Sequence, residues 1–273
     1  MAVLTFTNNA ADEIRERIKQ FAGISGTAYP HFVGTIDSWL HGYIANPFVH
    51  LLTGFPGKNG DRSLRVIETG YQSDWLNSFA APTKYPSANG RFTPIYANNY
   101  YIDAETNLFY IRPLGGTRWI THTTLYDSPQ FTKFRRDKPW LTKQKFYDGF
   151  KETKLKFWKA GFCTYQDIES LTYWILNDSD SDVVTLLTKR FPLIIVDECQ
   201  DLSWIQIRVL GLIQQNGSAL HFIGDLNQGI YSFKKVFPQK VKDFAEEKGF
   251  TQFPLSKNFR SLRTNCRLMW KTL

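Results

Sequence analysis

The sequence predicts an α/β fold in which a parallel β-sheet is covered by helices on both faces. A short, mostly apolar stretch at 2–7 and a continuous apolar run at 191–196 are typical of strands that are buried on both sides, as the strands of parallel sheets are. Each run leads into a helical pattern, at 10–21 and at 204–214. Strands that alternate with helices in this way indicate βαβ units, which build parallel sheets.

The first part of the chain supplies two strand-to-helix steps. Strand 2–7 is followed by the helix 10–21, with Asn8 as its predicted N-cap. A second strand at 32–35 leads into a helix at 36–43. A first strand as apolar as this one is expected to have a parallel neighbour on each side.

The composition then changes, because Pro, Gly, Asn and aromatic residues dominate from 46 to 139. Alternating residues around the turn 104–107 predict a hairpin over 96–113, and 118–125 is predicted as a third strand. Residues 143–187 have a helical pattern that is first rich in lysine and then amphipathic. The lysine face is expected to be solvated.

Composition limits the classes of protein that this chain can be. Its 273 residues are 42% hydrophobic, so they can bury a substantial core, and 33 Lys and Arg against 25 Asp and Glu give a net charge of +8. A basic surface favours a polyanionic partner such as nucleic acid. Three distant cysteines and the lack of an apolar run of about 18 residues predict a cytoplasmic protein without a membrane segment.

Two carboxylates, Asp197 and Glu198, follow the apolar run 191–196 directly, and a further strand is predicted at 219–223. Open α/β sheets bind ligands at the carboxyl ends of their strands. Asp197 and Glu198 are therefore predicted as the Mg²⁺ site, with Asp197 holding the ion. Glu198 is also predicted to orient or deprotonate the water that attacks the γ-phosphate of ATP. The alternative is that both residues only end a strand and cap the next helix.

Three segments carry a resemblance to a known family on the nucleotide side. D-E-C-Q-D at 197–201 resembles the D-E-[FYA]-Q-D motif of UvrD/Rep/PcrA-like superfamily-one DNA helicases, although Cys199 departs from the usual aromatic or small residue. G-D-L-N-Q-G-I-Y-S-F at 224–233 is similar to their G-D-x-x-Q-x-I-Y-x-[FW], and L-S-K-N-F-R-S at 255–261 to L-x-x-N-[YF]-R-S. The resemblance implies that Gln228 and Arg260 meet the γ-phosphate and that Phe259 lies against the adenine.

Two further segments resemble the DNA-contacting motifs of these helicases. T-F-T-N-N-A-A at 5–11 is similar to T-F-T-N-K-A-A, and G-T-I-D-S at 34–38 to G-T-[FI]-H-S. Asn9 and Asp37 replace a lysine and a histidine of the family, which removes groups suited to DNA contact. Aromatic residues can also stack on bases, although ordinary core packing is the alternative for them. The predicted DNA-binding residues are Phe6, Thr7, Asn8, Thr35, Ser38, Tyr231 and Phe233.

The resemblance also implies a fold and a domain organisation. We expect a RecA-like P-loop NTPase motor domain from 1–45 and 160–254, an inserted subdomain at 46–159 that is β-rich and then helical, and the beginning of a second motor domain at 255–273. C-T-Y-Q-D-I at 163–168 resembles the F-D-D-L helix start of these helicases. A narrower likeness, over 32–49, is to the helicase component of Gabija-type antiphage systems.

The sequence holds no G-x-x-x-x-G-K-[ST] loop, which cradles phosphates in this class of protein. We therefore expect a part of an ATP- and Mg²⁺-dependent helicase, truncated at both ends and inactive in ATP hydrolysis by itself. The family implies 3′-to-5′ movement on single-stranded DNA or on DNA with a single-stranded tail, in repair, conjugation or phage defence. The alternative is a degenerate helicase remnant that binds nucleic acid or a partner protein, and the segment 46–140 either docks such a partner or is surface elaboration.

Overall fold

The structure is a computed structural model, and it describes residues 1–23, 29–86, 92–113, 116, 118–136, 138–178, 182–225 and 238–253. The chain forms two compact units. The first contains Met1–Trp39 and the chain from Val184 onward, and the second contains Leu40–Val183. The assignment of motor domain, inserted subdomain and second motor domain to residue ranges stays a prediction.

Eleven strands are present within the described residues. In chain order they are β1 Ala2–Thr5, β2 Phe32–Thr35, β3 Arg65–Val66, β4 Ala80–Pro86, β5 Phe92–Tyr96, β6 Tyr100–Ile102, β7 Phe109–Ile111, β8 Ile120–Thr121, β9 Phe162–Cys163, β10 Leu193–Val196 and β11 Ala219–Phe222.

The helices are numbered in the same way. They are α1 Asn8–Ala22, α2 Ile36–Leu40, α3 Asn46–Phe48, α4 His50–Thr53, α5 His122–Tyr126, α6 Pro129–Arg135, α7 Lys143–Lys159, α8 Tyr165–Asn177, α9 Val183–Arg190, α10 Trp204–Gln215 and α11 Pro238–Glu247. A π-helical turn covers His41–Ala45, and 3-10 turns cover Asp74–Phe79, Ala97–Asn99 and Cys199–Asp201. In the part of the chain that the structure describes, no helix has the length and apolar character needed to cross a membrane.

The first unit is built on a four-stranded sheet with the order β11–β10–β1–β2, and all three pairings are parallel. All four residues of β1 are buried, and β10 and β2 flank it. The predicted α/β class with a parallel sheet is confirmed, as is the expectation that the first strand has a neighbour on each side. Because the strands are parallel, their carboxyl ends lie at one edge of the sheet.

The N-cap of helix α1 lies one residue earlier than the sequence predicts, and the helix begins at Asn8 instead of residue 10. Thr7 is its N-cap, because the Thr7 backbone is extended and the Thr7 side chain accepts a hydrogen bond from the Ala10 N–H at 3.2 Å. The prediction of Asn8 as the cap is wrong, since Asn8 is already the first helical residue.

The second unit has an aromatic core around α7 and a β-hairpin. In the hairpin β6 pairs antiparallel with β7, and Tyr100 lies opposite Ile111. Tyr100 is fully buried and its hydroxyl donates to the Phe150 carbonyl at 3.0 Å. The predicted hairpin over 96–113 is therefore present, with its paired strands limited to three residues each.

Two predictions of secondary structure in the second unit are wrong. The strand predicted at 118–125 is only two residues long, because the Thr121 hydroxyl accepts the Thr124 N–H at 3.0 Å and so begins helix α5. Threonine favours strands, and this local cap prevails over that propensity. The helical pattern predicted over 143–187 is interrupted by β9, which pairs in parallel with β3.

Candidate functional site

The acidic block after β10 lies at the carboxyl edge of the sheet of the first unit. The Asp197 N–H donates to the Leu4 carbonyl of β1 at 2.8 Å, and the Cys199 N–H donates to the Ile223 carbonyl at 3.0 Å. The block is thereby fixed between the chain segments that leave β1 and β11. This is the edge at which open parallel sheets bind ligands.

Glu198 has a backbone conformation that is uncommon for its residue type. Its φ of 55° and ψ of 41° lie in the left-handed region, and its side chain is exposed. For a residue with a Cβ atom, this conformation costs roughly 1–2 kcal/mol of free energy relative to the right-handed one. Strain of this kind persists where the surroundings fix the chain, and it is frequent at functional sites.

Gln200 provides a direct connection between Glu198 and the segment after β11. The Gln200 side chain is 2% exposed, its Nε2 donates to Glu198 Oε2, and its Oε1 accepts the Asp225 N–H at 3.1 Å. A Cβ atom on Gly224 would lie 2.3 Å from Gln200 Oε1, so glycine leaves the space that this amide occupies. The sequence reasoning missed this role, although Gln200 is the fourth residue of the D-E-C-Q-D block.

Cys199 is a buried, neutral thiol in the middle of the block. Burial raises its pKa to about 12, and the negative charges of Asp197 and Glu198 act in the same direction. A thiol with such a pKa is a poor nucleophile at neutral pH. Cys199 therefore acts as a small apolar residue at this position.

Thr5 adds a buried hydroxyl to the same edge. The Thr5 side chain is 2% exposed, and among the described residues its Oγ1 has no hydrogen-bond partner. Thr5 lies opposite Thr35 in the β1–β2 pairing, and the preceding residue, Leu4, lies opposite Val196 in the β1–β10 pairing. A buried polar group without a partner is costly, so this hydroxyl is suited to meet a ligand or a water at the sheet edge.

The Gly34–Ser38 segment is held by its own hydroxyl groups. Thr35 Oγ1 donates to Ser38 Oγ at 2.7 Å and accepts the Ser38 N–H at 3.1 Å. Asp37, which replaces the histidine of the family motif, has a hydrogen-bond partner in this chain. Its Oδ1 accepts a hydrogen bond from Gln206 Nε2 at 3.0 Å. Gln206 is itself fixed as part of the capping box that Ser203 forms at the start of α10.

The remaining predicted DNA-binding residues of the first unit lie at the start of α1. Phe6 is half-buried, and Thr7 and Asn8 are exposed. The Thr7 hydroxyl already serves as the helix cap. The adjacent strands β1 and β2 thus end at these residues: Thr35 is the last residue of β2, and Phe6, Thr7, Asn8 and Ser38 follow within three residues of a strand end.

Several predicted site residues lie outside the described residues. They are Gln228, Tyr231 and Phe233 in the segment after β11, and Phe259 and Arg260 near the end of the chain.

The parallel sheet with an acidic block at its carboxyl edge agrees with a sequence match that spans most of the chain. Residues 1–248 match the UvrD/REP helicase N-terminal domain family. The chain belongs to this family. The UvrD/REP relationship predicted from the motifs is therefore confirmed, and membership supports ATP binding and DNA binding as properties of the family.

Two relatives show how far the similarity of this UvrD/REP-family chain extends. One subunit of the ATP-dependent helicase/nuclease of Carboxydothermus hydrogenoformans is 36% identical over 107 residues, which cover 38% of this chain and 9% of the relative. ATP-dependent DNA helicase srs2 of Schizosaccharomyces pombe is 25% identical over 268 residues, which cover 96% of this chain and 28% of the relative. The chain thus spans less than a third of the length of either relative.

Proposed function

We propose that this UvrD/REP-family chain forms one wall of an ATP–Mg²⁺ site and part of a single-stranded DNA path in a DNA helicase. One observation carries the proposal above the others. Glu198 is held in a left-handed conformation at the carboxyl edge of the parallel sheet, and a buried amide, Gln200, hydrogen-bonds its carboxylate. A carboxylate fixed in this way suits the orientation of a water molecule.

The donor set at this edge fits magnesium bound together with a nucleotide. Carboxylate oxygens are the protein ligands that Mg²⁺ prefers, and it commonly takes one or two of them beside phosphate oxygens and water. Among the described residues no group of three or more His, Cys, Asp or Glu side chains could hold a metal ion alone. Asp197, with Glu198 beside it in the sequence, would hold the ion together with phosphate oxygens and water, and bound Mg²⁺ would neutralise charge on the phosphates.

The residues of this chain would then divide the work of hydrolysis. Glu198 would orient the attacking water or accept its proton, and Gln200 would keep the Glu198 carboxylate in place. By their position in the family motifs, Gln228 and Arg260 would sense the γ-phosphate, and Phe259 would lie against the adenine. An arginine in this role neutralises the charge that develops on the transferred phosphoryl group.

The DNA side of the proposal rests on the ends of β1 and β2. Phe6, Thr7, Asn8, Thr35 and Ser38 would contact single-stranded DNA there, and Tyr231 and Phe233 would stack on its bases. The family favours 3′-to-5′ movement along a single strand or a single-stranded tail. A protein partner at 46–140 and a role in repair or phage defence stay predictions.

The first test is DNA binding by the 273-residue protein, measured with a labelled oligothymidylate at low salt. We expect binding that weakens several-fold in the double variant Thr35→Val, Ser38→Ala, because both hydroxyls are removed from the proposed phosphate-binding position. A matched control is Ser78→Ala, which removes the hydroxyl of an exposed serine in the second unit. Wild-type protein that does not bind the oligonucleotide would overturn the DNA side of the proposal.

The second test is DNA-stimulated phosphate release by the same protein. Because the sequence holds no G-K-[ST] loop, we expect no turnover above that of a Glu198→Gln variant. Turnover that depends on Glu198 would contradict the expected inactivity and would support a complete nucleotide site. DNA binding without turnover agrees also with a remnant that only binds nucleic acid.

A further inference from the structure

A dense group of cations lies in the second unit, outside every motif of the proposed site. Residues 133–145 contain six Lys or Arg and one Asp, a net charge of +5 within thirteen residues. The segment runs from the end of α6 to the first turn of α7. We call its cations together with Trp140 the cationic surface; the cations are Lys133, Arg135, Arg136, Lys138, Lys143 and Lys145.

The cationic surface includes charges that are exposed to solvent. Lys133, Arg136 and Lys145 are exposed. Trp140 is 60% exposed, although it is a large apolar side chain whose burial would be favourable. An exposed indole in a segment rich in cations combines the two elements that proteins use to bind single strands, which are a stacking platform and attraction for phosphates.

Aromatic rings hold other cations of this surface in place. The Arg135 guanidinium carbon lies 3.8 Å from the centre of the Tyr126 ring, and Lys138 Nζ lies 3.7 Å from the centre of the Phe134 ring. Side chains that are ordered before binding lose less conformational entropy when a ligand arrives.

Hydrogen bonds also fix the backbone on either side of Trp140. The Lys138 N–H donates to the Arg135 carbonyl at 2.8 Å, and the Leu141 N–H donates to the Lys138 carbonyl at 2.9 Å. Leu141 is buried, and its carbonyl accepts the Tyr126 hydroxyl at 3.1 Å. The exposed indole is therefore presented by an anchored turn.

The placement of these charges does not favour helix stability. The first turn of α7 contains Lys143 and Lys145 and no acidic residue. Helix N-termini carry partial positive charge and are stabilised by carboxylates, so lysines in this turn are unfavourable for the helix. Lys143 offsets part of this cost, because its Nζ lies 3.0 Å from Asp127 Oδ2. The excess of cations over this segment is not explained by helix stability, and it matches a polyanionic partner in charge.

We propose that the cationic surface binds single-stranded DNA, with Lys133, Arg136 and Lys145 on phosphates and Trp140 stacked on an unpaired base. The inference rests on the proposed function, because it adds a second binding surface to a chain that we expect to bind the same ligand. Single-stranded DNA fits better than a duplex because the indole can reach only the face of an unstacked base.

The test measures binding of a labelled oligothymidylate by the full chain over a series of salt concentrations. The charge variant is Lys133→Glu, Arg136→Glu, and its control is Lys58→Glu, Arg65→Glu, which makes the same change in charge at exposed cations elsewhere in the second unit. We expect the charge variant to bind at least tenfold more weakly than the control. Its plot of log affinity against log salt should be shallower by about 0.7 for each phosphate that the protein no longer neutralises.

The stacking step is tested with Trp140→Ala and Trp140→Phe. Loss of a stacked base corresponds to about fivefold or more in affinity, so Trp140→Ala should weaken binding to this extent while Trp140→Phe retains most of it. Tyr71→Ala, which removes another exposed aromatic side chain of the second unit, should have no effect. A duplex of equal length should not distinguish Trp140→Ala from wild type.

The outcomes separate this inference from the proposed function. If the charge variant binds like its control while Thr35→Val, Ser38→Ala weakens binding, the cationic surface is overturned and the proposed DNA path stands. The charge variant could lose affinity for single-stranded and duplex DNA equally while Trp140→Ala changes neither affinity. The surface would then contact only phosphates, and its assignment to single-stranded DNA would be wrong. If wild-type protein binds no oligonucleotide, both proposals fail.

Discussion

Glu198 and Gln200 show what individual residues contribute to the acidic block. Glu198 adopts a left-handed conformation that costs free energy, and Gln200 contacts both the Glu198 carboxylate and the Asp225 backbone. The same amide therefore fixes one candidate catalytic residue and the start of the segment that leads to Gln228. A change that displaces Gln200 should disturb both.

Gly224→Ala is such a change. The added Cβ atom would lie 2.3 Å from Gln200 Oε1, 2.8 Å from Cys199 Sγ and 3.1 Å from the Cys199 nitrogen. Gln200 and Cys199 are both buried, so we expect a loss of about 1–3 kcal/mol in the free energy of unfolding, as is usual for overpacking. Urea unfolding measures it. Gly42→Ala is the control, because nothing lies within 4 Å of its added Cβ atom, and an equal loss there would refute the steric account.

At the scale of elements, a buried ion pair joins α7 to the start of α8. Lys154 and Asp167 are 1% and 0% exposed, and Lys154 Nζ lies 3.0 Å from Asp167 Oδ2. Lys154 also donates to the carbonyls of Ala97 and Tyr100, while Asp167 accepts the Thr164 N–H at 2.9 Å in the capping box of α8. The expectation of a solvated lysine face is thus wrong at Lys154.

Lys154→Met should be strongly destabilising, because it leaves the Asp167 carboxylate buried without its cation. Breaking one side of a buried pair costs about 3–5 kcal/mol. The double variant Lys154→Met, Asp167→Asn should recover part of this loss, since asparagine is uncharged and its oxygen can still accept the Thr164 N–H. Urea unfolding of the two variants and of the wild type decides this, and a double variant less stable than Lys154→Met would contradict the assignment.

At the scale of the whole molecule, stability depends on pH through buried groups. His122 is 4% exposed, and its Nδ1 accepts the Phe109 N–H at 3.1 Å. Burial lowers the pKa of His122 below its usual 6.5, and the Lys143 cation adds to this effect. The unfolded chain therefore binds a proton more readily than the folded chain below pH 6.5.

This difference in proton binding makes the folded protein less stable at low pH. The contribution of neutral His122 is fully present above pH 6.5 and is lost as the pH falls toward the lower pKa of the folded state. His122→Asn keeps an acceptor near the position of Nδ1 and cannot be protonated in this range. Thermal melts between about pH 7 and about pH 5 should show a smaller decrease in Tm for the variant than for wild type. Equal decreases would exclude His122 as the group responsible.

Features encoded locally could be predicted from the sequence. The apolar run before Asp197 predicted a buried parallel strand, and β10 is one, paired with β1 and β11. The cap of α1 was misplaced by one residue because Thr7 and Asn8 are both good capping residues, and only the backbone conformation distinguishes them. The strand prediction for 118–125 was wrong for a similar reason, since threonine is favourable both in strands and as a helix cap.

By itself, the sequence determined the alternation of strands and helices and the family, because hydrophobic periodicity and contiguous motifs are properties of neighbouring residues. Only the tertiary structure decided which distant groups meet. Lys154 contacts carbonyls that are more than fifty residues away in the sequence. Asp37 and Gln206 are 169 residues apart, and Gln200 and Asp225 are 25 residues apart. Such partners are set by the packing of whole elements and leave no local pattern, so a lysine that looked solvated lies in the core.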